Sequence, residues 1–282
     1  MRSPRSGPRC AAAVLSVTLI LAPLRAAGQG AAPVSPPPAD RIGGALFRQL
    51  AEDFVAVSAS PFHWTGRDWT AFSLIAGAAL AIRAGDQPLY DGLQRAKTSG
   101  SIAASAYINK IGNGAYLAGF IAALYASGEL FAGPSLRATA LLSLESFLTA
   151  SAYVLALKAA VGRARPYLNQ PPGTCRPFAL TNAYASFPSG DAAAAFAVAS
   201  TIAGRSDSTA VGVLAYGLAG LAAFYRVHDR RHWPSDVFVG SAIGLAVGHK
   251  VVSLHRGREG EGASLAFDVG AGRRAVSLAW AF

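Results

Sequence analysis

Apolar residues fall in blocks along this chain. Strongly apolar segments lie at about 69–83, 111–128, 136–158, 191–204, 210–225 and 236–252, parted by glycine, proline or charged residues. None alternates with a period of two, so the blocks predict an all-α bundle of about five or six core helices. Ahead of them, Ile42, Leu46, Leu50, Phe54 and Val57 recur at helical spacing. That pattern predicts an amphipathic helix lying against the bundle or the bilayer. A membrane-crossing helix needs about 20 mostly apolar residues. Segments 111–128 and 136–158 approach this length, as does 236–252 with its flanks, whereas 69–83 is short. Their alanine and glycine content suits close helix contacts inside a membrane.

The two ends of the chain break this pattern. Arg2, Arg5 and Arg9 precede an apolar run from Cys10 to Leu24, and small residues follow through Gly28. Residues 1–28 therefore read as a secretory signal, cleaved or retained as an anchor. Residues 29–62 combine a proline-rich linker with the amphipathic helix, 63–255 hold the helical domain, and 256–282 form a tail. In that tail, Ser264–Val269 and Ala275–Phe282 flank a Gly-Ala-Gly-Arg-Arg turn, which predicts a short β-hairpin. Removal of the signal leaves Cys175 as the sole cysteine, so neither a disulfide nor a metal site is expected, and no cofactor.

Composition narrows the class. The chain is 52% hydrophobic and 14% charged, against roughly 25% charged residues in soluble domains. A membrane-associated bundle follows, with an exported soluble or peripheral protein as the alternative. The net charge of +10 suggests nucleic acid at first. Its basic residues, however, sit in the leader and in the polar clusters described next, with no basic run interleaved with aromatics. Nucleic-acid binding is not expected.

Three polar clusters interrupt the apolar helices. The first is Lys158-Ala-Ala-Val-Gly-Arg163-Ala-Arg165-Pro166, in which Pro166 stops the helix and holds Arg165 extended. Any one of these cations alone reads equally as an interfacial anchor. The second is Phe187-Pro188-Ser189-Gly190-Asp191, where the next helix begins. Its first amides can present N–H groups to an anion, or Ser189 can be an ordinary N-cap with Asp191 on the positive end of the helix dipole. The third runs from Tyr225 to Asp236 and holds Arg226, His228, His232 and Asp236. His232 and Asp236 are four apart, so a helix would bring the carboxylate to the imidazole, fixing its tautomer and raising its nucleophilicity. Lys158, Arg165 and Arg226 supply cations for a phosphoryl group.

Together these clusters resemble the three signatures of the type 2 phosphatidic acid phosphatase (PAP2) and vanadium haloperoxidase superfamily. That pattern is Lys, six residues, Arg-Pro; then Pro-Ser-Gly-His; then Ser-Arg, five residues, His, three residues, Asp. Lys158 to Pro166 and Arg226 to Asp236 match the first and third spacings. The resemblance implies a membrane-associated phosphatase domain over 63–255 acting on a lipid phosphate or diphosphate. His232 would be the nucleophile, oriented by Asp236, and Lys158, Arg165, Ser189, Gly190 and Arg226 would bind phosphate oxygens. Alternatives within the resemblance are a weakened member that binds phosphorylated head groups, or a vanadate-dependent haloperoxidase.

Two positions depart from the pattern. Tyr225 replaces the serine, and Asp191 replaces the histidine that protonates the leaving oxygen. Neighbouring cations favour an ionised Asp191, which cannot donate a proton. Burial, a proton from His228, or a diphosphate substrate with a less basic leaving group would each relieve the loss. Arg137, Arg205, Lys250, His255, Arg256 and Arg258 fall at the far end of the bundle. The positive-inside rule then turns the site toward the periplasm, provided that 69–83 lies along the surface. Glu129 and Glu145 in apolar segments read equally as functional groups or as packing and interfacial ones.

Overall fold

The structure is a computed structural model, and it describes residues 41–255. The expected signal, the linker and the hairpin tail lie outside the described residues. Within them the chain is all-helical. The helices are α1 (Gly44–Ala59), α2 (Gly66–Ala84), α3 (Asp86–Arg95), α4 (Ser99–Ile108), α5 (Gly114–Ser127), α6 (Pro134–Val161), α7 (Gly190–Arg205), α8 (Thr209–His228) and α9 (Pro234–His255). All six apolar blocks and the amphipathic segment are helices. The sequence pattern missed α3, a short polar helix whose Leu89, Tyr90 and Leu93 form a narrow apolar face, and α4, which is apolar on average but short and has no stripe.

Local signals set the boundaries. Thr65 and Asp68 cap α2 reciprocally, and Pro134 opens α6 where a missing N–H costs nothing. Gly162 closes α6 at φ +57, where a Cβ would lie 1.8 Å from the Arg176 carbonyl oxygen. Only glycine fits that turn.

Alanine-rich α7 is the central helix and packs on α6, α8 and α9. Its tightest partner is α9, whose Gly240, Gly244 and Gly248 recur every four residues. Cβ atoms there would lie 2.3 Å from the Ser189 carbonyl oxygen, 2.3 Å from that of Ala193 and 2.6 Å from that of Ala197. The stripe lets two backbones touch, as small residues do between membrane helices. One core cluster joins Val57, Leu142, Ala150, Ala197, Val247 and Val251, so α1, α6, α7 and α9 share an interior.

Among the described residues, four stretches are long and apolar enough to cross a membrane: Gly114–Phe131, Pro134–Val161, Thr209–His228 and Pro234–His255. Val213, Leu214, Leu218, Leu221 and Phe224 leave one side of α8 apolar and exposed, a surface suited to lipid. The chain is thus built for membrane association.

Two expectations about helix placement change. First, α2 does not lie across the bundle. It packs on α9, with Asp68 in its first turn sensing Lys250 and Asp86, just past its end, bonding Ser235 at the start of α9. It therefore runs antiparallel to α9 between the two ends. Second, α1 buries Leu46, Gln49, Asp53 and Val57, while Ile42 and Phe54 are exposed. The helix is rotated from the face its apolar residues suggested because Gln49 and Asp53 have buried polar partners. Cys175 is buried and packs with Val161 beside Phe187; the other cysteine, Cys10, lies outside the described residues.

Candidate active site

All three sequence clusters meet at one end of the bundle, and a buried arginine fastens them. Arg163 follows α6 and is 2% exposed. Its guanidinium donates to Pro172 O at 2.9 Å, Ser235 Oγ at 2.9 Å, Asp86 Oδ2 at 2.5 Å, and Asp236 Oδ1. Asp86 also accepts from the Ser235 N–H at 2.9 Å and the Ser235 hydroxyl at 2.7 Å. Two fully buried carboxylates and one guanidinium thus satisfy each other, as buried charges must. The Arg163 guanidinium also stands over the Trp233 ring, 5.5 Å from its centre.

This network positions His232, but not by the contact its spacing suggested. Asp236 Oδ2 is 4.0 Å from His232 Nδ1, too far for a hydrogen bond. Helix α9 begins at Pro234, so His232 precedes it and Asp236 occupies its third position. From there Asp236 Oδ2 accepts from the Trp233 N–H at 2.9 Å and the Ser186 hydroxyl at 2.5 Å. The carboxylate caps its own helix. The imidazole Nδ1 instead meets the Ser186 carbonyl oxygen at 2.6 Å. A carbonyl only accepts, so Nδ1 carries the proton and Nε2 keeps a lone pair. Asp236 orients His232 at one remove, through Ser186.

Three cations gather about that ring. Burial first, then the charges of Lys158 and Arg165, hold His232 well below the ordinary histidine range, and Arg226 adds to the effect. Lys158 sits in the last turn of α6 and donates to the Ala185 carbonyl. Arg165 donates through Nε to Asn182 O at 2.8 Å. Arg226, near the end of α8, donates to Asn109 O at 2.8 Å, while its buried Nε has no hydrogen-bond partner. Ser189 is the N-cap of α7: its Oγ accepts from Ala192 N, and its own N–H goes to Asp236 O at 2.9 Å. That N–H is unavailable to an anion, and so are those of Ala192 and Ala193, which bond back to Ser189; the amides of Gly190 and Asp191 are left.

Asp191 faces the site from the first turn of α7, its Oδ2 3.0 Å from Arg226. Its side chain is 27% exposed, so it lies at the mouth. His228 has both ring nitrogens engaged, Nδ1 with Asp229 Oδ1 at 2.6 Å and Nε2 with Ser101 Oγ at 3.0 Å. It is tied into the wall made by α4 and α8. Beside Arg226 opens a cleft of about 250 Å3 that Lys110 and Arg231 also line. A second cleft of about 190 Å3 adjoins Lys158 and is walled by Leu155, Ala159 and Leu180.

The structure thus brings Lys158, Arg165, Arg226, His232, Asp236, Ser189, Gly190 and Asp191 to one place. Sequence reasoning missed the anchoring role of Arg163 and missed Ser186 and Asp86 altogether. Arg163 and Ser186 stand inside or beside the quoted motifs and were open to notice. Asp86, far off in the chain, carried no local signal.

An all-helical bundle that gathers three cations around a buried histidine at one end is the class these observations define. Residues 139–259, which hold all three polar clusters, match the model of the PAP2 superfamily. No curated protein matches the sequence. Among solved structures, LpxE of Aquifex aeolicus is 21% identical, with a TM-score of 0.46 over 58% of this chain and 92% of its own. A transmembrane PAP2-type phosphatidylglycerolphosphate phosphatase from Bacillus subtilis is 16% identical, with a TM-score of 0.45 over 73% of this chain and 92% of its own.

Proposed function

We propose that the chain is a phosphatase acting on a lipid phosphate or diphosphate, of polyprenyl-diphosphate or phosphatidate type, through a phosphohistidine at His232. The observation that carries this reading is the tautomer of His232, with its proton on Nδ1 and its Nε2 lone pair among Lys158, Arg165 and Arg226. In the first step that lone pair forms the N–P bond as the bond from phosphorus to the lipid oxygen breaks. The cations hold the non-bridging oxygens as charge spreads over them. Water then attacks phosphorus, the N–P bond breaks, and inorganic phosphate leaves with the histidine neutral again. The apolar cleft at Leu155 and Leu180 and the apolar outer surface of α8 support a lipid substrate.

The leaving oxygen sets the substrate. His228 is bound on both sides, and Asp191 is paired with Arg226, so neither is a free acid. A diphosphate, whose leaving phosphate is a weak base, needs no such acid. We therefore assign preference to the diphosphate. The test is phosphate release from polyprenyl diphosphate against phosphatidate by wild type and Asp191→His. Equal wild-type rates on both would reject the preference.

One observation favours a second reading, a phosphate-binding protein without turnover: the Asp191 carboxylate occupies an Arg226 donor that phosphate would use. Turnover that disappears in His232→Asn rejects this reading. Binding with no turnover in wild type supports it.

For orientation, Arg137, Arg205 and Lys250 at the far end support a periplasmic site. Because α2 and α5 both run between the ends, that orientation places residue 41 in the cytoplasm, which runs counter to the exported leader expected of residues 1–28. Cysteine labelling at Arg176, on the site side, and Asp207, on the other, decides the matter. Labelling of 176 alone from outside supports the outward site, and labelling of 207 alone overturns it.

A further inference from the structure

At the opposite end of the bundle from His232, three helices bring a second set of ionisable groups together in the interior. Asp53 comes from α1, Glu145 from α6 and His255 from the last turn of α9. One donor atom from each lies within 4.8 Å of the others. At 1.5 Å per residue, the length of α9 puts this cluster about 30 Å from His232, so it has no part in phosphoryl transfer.

The cluster is polar where the fold offers apolar surroundings, and it is incompletely satisfied. Glu145 is 0% exposed, with Oε2 accepting from Gln49 Nε2 at 2.8 Å and Oε1 buried without a partner. His255 is 6% exposed, with Nε2 on Asp53 Oδ2 at 2.5 Å and Nδ1 buried without a partner. Asp53 and Glu145 meet carboxyl to carboxyl, both as like charges and as hydrogen-bond partners, and among the described residues no lysine or arginine pairs with either. Two buried carboxylates without a cation are costly, at several kcal/mol for each such charge. A divalent ion bound by two carboxylates and a neutral imidazole brings the sum to zero, and imidazole with carboxylate is a donor set that zinc and manganese accept.

We propose that Asp53, Glu145 and His255 bind one divalent transition-metal ion, of the zinc or manganese class, which clamps α1 to α6 and α9. Binding displaces any proton held between Asp53 and His255, since ligands coordinate in their deprotonated forms. The site accounts for the rotation of α1, whose Gln49 and Asp53 are turned inward in place of Ile42 and Phe54. It also gives intramembrane Glu145 a function.

The test uses full-length protein in detergent, stripped with a chelator and then exposed to ZnCl2 or MnCl2. We expect one equivalent of at least one ion to survive gel filtration. The melting temperature should rise by several degrees, about 4 °C or more at saturating ion. Glu145→Gln and His255→Ala should lose both effects, and His232→Asn, at the other end, should keep both. Two variants guard against a misfolded one, and each is checked for a single cooperative melt. Failure to retain either ion, or retention unchanged in both cluster variants, overturns the proposal. A chelator-insensitive melt without bound metal means that the cluster is closed by a shared proton, which overturns it equally.

Discussion

The two ends of the bundle bury a histidine near carboxylates, and they do so in opposite ways. At the His232 end the nearest carboxylate, Asp236, is held 4.0 Å away by capping α9, and the ring proton goes to a backbone carbonyl. Cations surround the ring, which stays neutral with Nε2 free. At the His255 end, Asp53 bonds the ring directly, a second carboxylate stands beside it, and no lysine or arginine pairs with the group among the described residues. The partner of the ring decides its use. On the proposed reading, a neutral acceptor amid cations suits a nucleophile that attracts anions, whereas direct carboxylates suit a nest that attracts cations.

The contrast breaks most sharply at the nucleophile. His232→Asn keeps a side chain of similar reach but removes Nε2, and turnover on lipid diphosphate should fall by about 10⁴-fold or more. An unaltered rate would mean that the ring is structural at both ends. Next comes the buried anchor. Asp86→Ala leaves Arg163 with one carboxylate in place of two and should cost about 3–5 kcal/mol, read as a lowered melting temperature with activity lost in parallel. A melt equal to wild type would show that Asp86 does not hold the site.

Asp191→His tests the mouth. Restoring a proton donor should raise phosphatidate hydrolysis by about 10²-fold, and the gain should be much smaller on the diphosphate. Equal gains on both substrates would contradict the leaving-group argument. A smaller effect is expected at the α7–α9 contact, where Gly244→Ala puts a methyl against the Ala193 backbone and should cost about 1–3 kcal/mol by thermal melt.

The smallest effect is on pH. Since the folded-state value of His232 is lowered, the folded protein keeps the ring neutral where the unfolded chain binds a proton, below about pH 6.5. Its contribution to stability is present above that pH and is lost as pH falls. Activity should therefore persist below pH 6.5 while the melting temperature declines. His232→Asn should flatten that decline.

Much of this was legible in the sequence. Six apolar blocks became six helices because length and composition alone decide burial in a bundle. Lys158, Arg165, Ser189, Gly190 and Arg226, which are proposed to bind phosphate, stand out because their spacings are local to helix ends. What escaped was non-local or depended on where a helix starts. The four-residue spacing of His232 and Asp236 suggested a direct bond, but Pro234 starts α9 between them and makes Asp236 a cap. Asp86 was invisible because its partners, Arg163 and Ser235, come from distant segments. The inward turn of Gln49 and Asp53 ran against the apolar stripe of α1, and only the positions of Glu145 and His255 explain it. Glu145, read from sequence as either functional or structural, is at the centre of that second cluster.

The most direct test of the central claim is to trap the covalent intermediate. Wild-type protein is mixed briefly with lipid diphosphate labelled at the terminal phosphate, quenched in alkali and digested for peptide mapping. The account predicts an acid-labile, alkali-stable phosphoryl group on the peptide that contains His232, absent in His232→Asn. Label on another residue, or turnover retained by His232→Asn, would contradict it.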